Sequence, residues 1–471
     1  MSHAEHLQNP YTRGIADFVS TLHYDAIPTP VIERIKLLIL DSLGCAIFGT
    51  ELPWSRILID TLSRLDTTPA CAAWGTARRV SAPHAALING TLIQSFELDD
   101  VHRVGVLHVG AVTLPAVLAL AELDPAMTGR DFLTACVAGY EIGPRVGMCM
   151  GQEHIAQGWH SGATVGVFSA AAGAAAALKL SAEQTVHALG IAGTQASGLM
   201  AAQFGAMVKR MHAGRASQSG LYGALLAQGG FTGIMDVFEN PYGGFCSTFS
   251  RSTDRFDLTQ LTSGLGERFE TERIALKFYS CVGSNHTTLD ALRNMQARHP
   301  FGVDDVERII VQGSRVTVDH VGWKYVPQGL TSAQLNLPYC VATLLLDGDV
   351  FVDQFTEEKV TDAQRMRVSQ LVEVVEDPAI TARGSVYRHM VHVKVRLRDG
   401  TELNETVETP RGSEHSFASA DDVIAKFGKL ASHRLAAPQI ERIVERVMLA
   451  DKMGGANELV NLLVSLPKTT H

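Results

Sequence analysis

Apolar side chains recur three and four apart through roughly the first 260 residues, the spacing that gathers them on one face of a helix. Thr29-Pro30 offers a helix start, because proline in the first turn lacks only an N–H that would have had no partner. Ile32, Ile35, Leu38, Ile39 and Leu43 then repeat up to Phe48, ahead of Gly49. One long helix with a buried face is predicted over 31–48. The same period predicts helices over 84–98, where Ile88, Leu92 and Phe96 stand four apart, and over 111–123, 129–146, 163–178, 182–192 and 216–227.

Beyond about Arg273 the pattern shortens to alternation. β-Branched residues alternate in "VERIIVQGS" and most clearly in "MVHVKVRLRDGTELNETV", where Asp399-Gly400 is a hairpin signal between two strands. A further helix is expected over 333–346. Helical periodicity returns over 420–466, so the end of the chain is expected to rejoin the first helical body. The expected fold is mainly α with a second α/β domain: a large all-helical domain from 1–268 and 412–471, and a smaller α/β domain over 269–411.

Composition narrows the class. With 471 residues, of which 46% are hydrophobic, the chain is long enough for two domains and a sizeable core. The net charge of −9, with no lysine/arginine block, argues against a nucleic-acid partner. The segment 162–180, "GATVGVFSAAAGAAAALKL", is built from small residues rather than Leu, Ile and Phe, which fits a buried helix in a bundle better than a membrane span. Seven scattered cysteines, never in a CxxC pair, read as reduced thiols of a cytoplasmic protein and supply no zinc or iron–sulfur cradle. The first residues, "MSHAEHLQNPYTRG", have no apolar core behind positive charge, so no signal peptide is expected.

Chemistry concentrates in a few stretches. In "SFELDDVHRVGVLHVGA", Glu97, Asp99 and Asp100 fall at the expected C-terminal end of a helix, where the backbone dipole disfavours anions. His102 and Arg103 offset that cost in part, so a surface charge cluster is the plainer alternative. His108 sits in a Gly-flanked loop, a setting that suits a side chain aimed into a cleft. His160, in "QGWHSGATVG", precedes a helix whose first N–H groups favour an anionic ligand. "MVKRMHAGRASQSG" places Lys209, Arg210, His212 and Arg215 within seven residues, just ahead of the expected 216–227 helix. That cluster is either a solvated basic patch or a receptor for carboxylates. "ALKFYSCVGSNHTTLDAL", around His286, and "SAQLNLPYCVATLLLDGDV", around Tyr339, complete the set.

In this order the stretches resemble the MmgE/PrpD family, which includes 2-methylcitrate dehydratase, cis-aconitate decarboxylase and iminodisuccinate epimerase. The matching pieces are "FELDDVHRVGVLHVGAVTLPAVLALAE", "GWHSGATVGVFSAAAGAAAA", "VKRMHAGRASQSGLYGALLAQGGFTG", "LKFYSCVGSNHTTLDA" and "YCVATLLLDG". The resemblance implies a homodimer, with a large helical domain from both chain ends and a smaller domain closing over a cleft. It implies catalysis without metal or organic cofactor on a small di- or tricarboxylate. It places His108, His160, Lys209 and Tyr339 in the active site and matches Asp99 and Asp100 to the family's acidic pair. The chain departs from the decarboxylase pattern at Glu97 and Val101, where that pattern has Asp and Thr, and at Val282, where it has His. Val109 and Arg210 stand where the family usually has proline. These departures point to an acid other than cis-aconitate.

The shared hard step is carbanion character beside a carboxylate, which needs fixed cations and a base with a pKa near neutrality. His108 and His160 are expected as the acid/base pair, with Asp99 or Asp100 orienting an imidazole, Lys209 stabilising charge and Tyr339 donating. Glu97, His102, Arg103, Arg210, His212, Arg215 and His286 are the expected substrate-binding residues. Dehydration is the first expectation, with epimerisation or decarboxylation as alternatives. An isoprenoid synthase fits poorly, because Arg103 stands where its "DDxxD" metal motif needs a third acid. A non-catalytic polycarboxylate-binding protein needs the basic cluster but not the acid/histidine arrangement.

Overall fold

The fold comes from a computed structural model that describes residues 9–464, apart from 152 and 205. The first eight residues, read above for a signal peptide, and the last positions of the expected 420–466 region lie outside the described residues.

After a shorter helix, Pro10–Thr21, the first long helix runs Thr29–Gly49, with proline in its first turn and its whole second half buried. Capping boxes set several other helix starts. Thr128 and Asp131 begin Gly129–Met150, and Ser181 and Gln184 begin Ala182–Gly193. In each box the side-chain oxygen of either residue accepts from the backbone N–H of the other, so neither donor is left orphaned. The Ala-rich segment is buried and breaks at Val165 into Ser161–Thr164 and Gly166–Ala177. Small side chains explain its central place: a Cβ on Gly220 would stand 2.4 Å from Ala170 Cβ, and one on Gly139 2.8 Å from the Ser169 carbonyl oxygen. Among the described residues no helix is long and apolar enough to cross a membrane. All seven cysteines are buried free thiols.

The sheet has four strands in the order Val372–Glu376, Val306–Gly313, Val391–Leu397, Glu402–Val407. The first pairing is parallel and the other two are antiparallel. Val391–Leu397 buries every second residue, as its alternation requires. Gly400 closes the hairpin at φ +90, a conformation that favours glycine. The molecule is therefore mainly helical with a small sheet region. Ala420–Ala431 packs on Thr29–Gly49, with Phe427 against Gly44.

Besides the 163–178 helix broken at Val165, three elements differ from their sequence expectation. The 84–98 helix is Ala82–Ile93, followed by a single 3-10 turn to Phe96. The 333–346 helix is two, Leu330–Leu335 and Leu337–Asp347, because the Asn336 side chain caps the Tyr339 N–H at 2.8 Å and Pro338 restarts the helix. The 216–227 helix begins eight residues earlier and runs Val208–Gln228, so the basic cluster lies within its first two turns.

Candidate active site

The acidic stretch is a turn held from several sides. Glu97 takes the left-handed conformation, φ +56, which ends the preceding 3-10 turn and reverses the chain. The Phe96 carbonyl accepts from Ser280 Oγ at 2.9 Å and Gln334 Nε2 at 3.1 Å. The Leu98 carbonyl accepts from Lys426 Nζ at 2.8 Å. Val101–His102 then pairs antiparallel with Ile274–Ala275, which brings Lys277 alongside the acids. Glu97, Asp99 and Asp100 thus stand in a fixed turn rather than on a helix end.

Asp100 and His102 serve the turn itself. The Asp100 carboxyl accepts from the Gly110 N–H at 3.0 Å and from the Tyr140 hydroxyl at 2.8 Å. Burial pushes it up to about 7, with Asp99 adding to the effect and the Gly110 bond opposing it. His102 Nε2 is 3.1 Å from Glu270 Oε2, and its Nδ1 accepts from the Gly105 N–H at 2.9 Å. Neither residue lines the cavity described next.

A cavity of about 350 Å³ opens beside the turn. His108, immediately before the helix Val109–Leu123, lines it. His108 Nδ1 lies 3.0 Å from the Asp100 carbonyl oxygen, which takes its hydrogen bond, and 2.9 Å from Asp99 Oδ2, whose charge stands beside the ring. Both oxygens are acceptors only, so Nδ1 keeps its proton and Nε2 is the atom that gains or loses one. Burial opposes ionisation of Asp99, yet His108 and Lys277 outweigh it and hold the carboxyl below its usual range.

His160 lines the same cavity just ahead of Ser161–Thr164. Its backbone N–H donates to the Gly198 carbonyl at 3.1 Å, and its buried Nδ1 has no hydrogen-bond partner. Burial, joined by Lys209, His212 and His108, pushes it well below the usual imidazole range, so it is neutral at physiological pH. The His212 ring sits behind it, centroids 4.8 Å apart.

Lys209 and Arg210 open the Val208–Gln228 helix, where cations alone would oppose the dipole. Glu97 removes the conflict. Lys209 Nζ bonds to its carboxylate, Arg210 Nη1 lies 2.7 Å from Glu97 Oε1, and Lys277 Nζ lies 3.7 Å from Glu97 and 3.8 Å from Asp99. Burial disfavours the Glu97 charge, but these cations hold its carboxyl well below the usual range. Three cations thus meet two carboxylates, with His108 adjoining, and this wall can accept an anion.

The cavity brings together Glu97, Arg103, His108, His160, Lys209 and His286. Asp99, Arg210 and His212 stand directly behind them. Four expected residues are elsewhere: Asp100 and His102, which hold the turn, and Tyr339 and Arg215. Tyr339 is fully buried against Tyr325 and Phe355, its hydroxyl 3.5 Å from the Gln354 carbonyl, and does not line the cavity. Arg215 is exposed and bonds to Gln218 one turn on, because the helix carries it to the outer face. Sequence reasoning missed Lys277, Ser284, His320, Arg388 and His389, all of which line the cavity. Lys277 lies inside the quoted "ALKFYSC" stretch, whereas Arg388 and His320 carry no local signal. Val101 and Val282, two of the departures, also line the cavity and make it more apolar there. Among the described residues, no group of three or more His, Cys, Asp or Glu could hold a metal ion.

A neutral imidazole, a carboxylate-backed imidazole and buried ammonium groups share one cavity, a set of groups chemically able to move protons beside carboxylates. The chain belongs to the MmgE/PrpD family: the family's N-terminal domain matches residues 13–257 and its C-terminal domain residues 279–449. It is 35% identical to the cis-aconitate decarboxylase-like protein oryM of Aspergillus oryzae, over 96% of this chain and 97% of that one. It is 32% identical to a cis-aconitate decarboxylase of Aspergillus terreus, over 96% and 95%. It is 26% identical to the mouse cis-aconitate decarboxylase, over 96% and 93%. The chain is accordingly an enzyme of the lyase type.

Proposed function

We propose that this enzyme decarboxylates an unsaturated polycarboxylate of the cis-aconitate type. Dehydration, the first expectation from the sequence, gives way because the relatives that match over nearly the whole chain are named for decarboxylation. The observation that carries the reading is the His108 imidazole, fixed at Nδ1 by two acceptor oxygens, on the same cavity as Lys209 and Lys277.

In such a substrate the bond to the departing carboxylate breaks and its electron pair forms a new double bond. The former double-bond pair moves to the carbon beside a second carboxylate. CO2 leaves, and that carbon takes one proton, so each turnover consumes one proton. His108 Nε2 delivers it and is recharged from solvent. Lys209 and Lys277 stabilise charge developing on the second carboxylate, and the neutral His160 donates or accepts a hydrogen bond across the cavity.

The test is NMR in deuterated water with cis-aconitate and related unsaturated polycarboxylates, with CO2 measured in parallel. The expected result is stoichiometric CO2 and one deuterium on the carbon beside a carboxylate. Deuterium entry without CO2 would replace the reading with epimerisation. Formation of a double bond from citrate or 2-methylcitrate without CO2 would replace it with dehydration.

A further inference from the structure

Glu97 is the one carboxylate among the described residues that line the cavity, against four lining cations: Arg103, Lys209, Lys277 and Arg388. Glu97 is already engaged by Lys209, Lys277 and Arg210. The two arginines are a separate group. The charges bearing on Arg388 are Arg103 and Glu414, whereas those around Lys209 are Glu97, Arg210 and Lys277. His320 lines the same cavity, and the charges of Arg388 and Lys209 both bear on it.

The arginine corner has more donors than acceptors. Arg103 Nη1 reaches Glu414 at 3.2 and 3.3 Å, and its Nε is buried with no partner. Arg388 donates from Nε to His389 Nε2 at 3.2 Å and from Nη2 to the Arg103 carbonyl at 3.5 Å. No carboxylate among the described residues lies within ion-pair distance of Arg388, and its Nη1 donors have no partner there. Burial and Arg103 together lower Arg388 to about 10, still charged at neutral pH. One carboxylate therefore serves two guanidinium groups, and Ser284, 3.4 Å from His320, adds a hydroxyl to the same cavity.

We propose that Arg388, with Arg103 beside it, forms a second carboxylate subsite that receives a non-reacting carboxylate of the substrate and restricts the enzyme to acids with at least two carboxylates. With Nη1 unpartnered and one Nη2 hydrogen left over from the Arg103 carbonyl, the planar guanidinium can meet a carboxylate through parallel N–H groups on two nitrogens, a forked pair whose geometry a lysine only partly replaces as a single charge. The subsite rests on the proposed decarboxylase reading for its substrate and names the groups that hold the unreacting end. Arg388 is a specificity residue: it binds the far carboxylate and takes no part in proton transfer.

The experiment compares wild type, Arg388→Gln and Arg388→Lys by titration calorimetry with propane-1,2,3-tricarboxylate, which has no double bond to react, and with butanoate. Thermal melting checks that both variants remain folded. The expected result is tricarboxylate binding weakened about 10- to 100-fold in Arg388→Gln and less in Arg388→Lys, with butanoate binding the same in all three. In turnover, KM rises at least tenfold in Arg388→Gln while kcat stays within about threefold, the pattern of a lost ground-state contact. Tricarboxylate binding unchanged within twofold, in a wild type that decarboxylates, overturns the subsite and leaves the decarboxylase reading standing. A loss in Arg388→Gln that extends equally to butanoate, or that comes with a lowered melting temperature, is structural damage and also overturns it. A wild type that neither binds the tricarboxylate nor turns over overturns both.

Discussion

Lys426 Nζ lies 2.5 Å from Asp41 Oδ1, across 385 positions of sequence, and the same ammonium group donates to the Leu98 carbonyl at 2.8 Å. Both side chains are buried, so removing one partner strands the other's charge. Lys426→Met is expected to cost about 3 to 5 kcal/mol in urea unfolding. Pairing it with Asp41→Val is expected to recover more than half of that loss, since an apolar pair of similar volume has no charge to desolvate. A double variant as unstable as the single one would contradict the account.

Asp99 Oδ2 stands 2.9 Å from His108 Nδ1. Asp99→Asn keeps the shape and removes the carboxylate charge beside the His108 ring. The expected outcome is a kcat at least about 100-fold lower with KM nearly unchanged, read from steady-state CO2 release. A change confined to KM would mean that Asp99 only shapes the cavity.

Asp100 links stability to pH with the opposite sign from most carboxylates. Its folded value of about 7 stands above its ordinary 3.8, so the folded protein keeps a proton that the unfolded chain releases. Stability is therefore lost as pH rises from about 4 to about 7, by on the order of 4 kcal/mol for this group alone. In Asp100→Asn the slope of unfolding free energy against pH is expected to lose one proton's worth across that interval. Urea titrations at about pH 4.5, 6 and 8 measure it, and parallel curves for variant and wild type would refute it.

Gly214 lets the helix carrying Lys209 approach the helix that leads into Glu97. A Cβ there would stand 2.0 Å from the Leu87 carbonyl oxygen and 2.6 Å from Thr91 Oγ1. Gly214→Ala gains about 1 kcal/mol of helix propensity and loses more to overpacking, a net cost of about 2 kcal/mol. Because the displaced helix carries Lys209, catalytic efficiency is expected to fall with stability. A stabilised, fully active variant in thermal melting and turnover assays would show that the contact is not tight.

The long helices were legible because large apolar residues mark their buried faces, as in Ile32, Ile35 and Ile39, and the Val391–Leu397 hairpin because alternation and Asp399-Gly400 coincide. The start of Val208–Gln228 was not, because its buried face is Ala213, Gly214, Ser217 and Gly220, which seat the helix by backbone proximity rather than apolar bulk. The break at Asn336 was hidden for a related reason: one capping side chain decides it inside an otherwise continuous apolar run. His108, His160 and Lys209 could be placed from motif order. Lys277 lay inside the "ALKFYSC" stretch but reaches the cavity through the pairing of Ile274–Ala275, which its stretch does not reveal, and Arg388 has no local signal at all. The resemblance also placed Tyr339 in the active site, whereas here its hydroxyl turns to the Gln354 carbonyl.

The cavity is lined from Glu97 to Pro410, and its acidic turn is gripped by a lysine from a helix that starts only at Ala420. Occupancy is consequently coupled to the cohesion of nearly the entire polypeptide. A saturating polyanion is therefore expected to raise the melting temperature of the intact enzyme and to slow its cleavage by proteases, and to do neither for a fragment ending before Lys426.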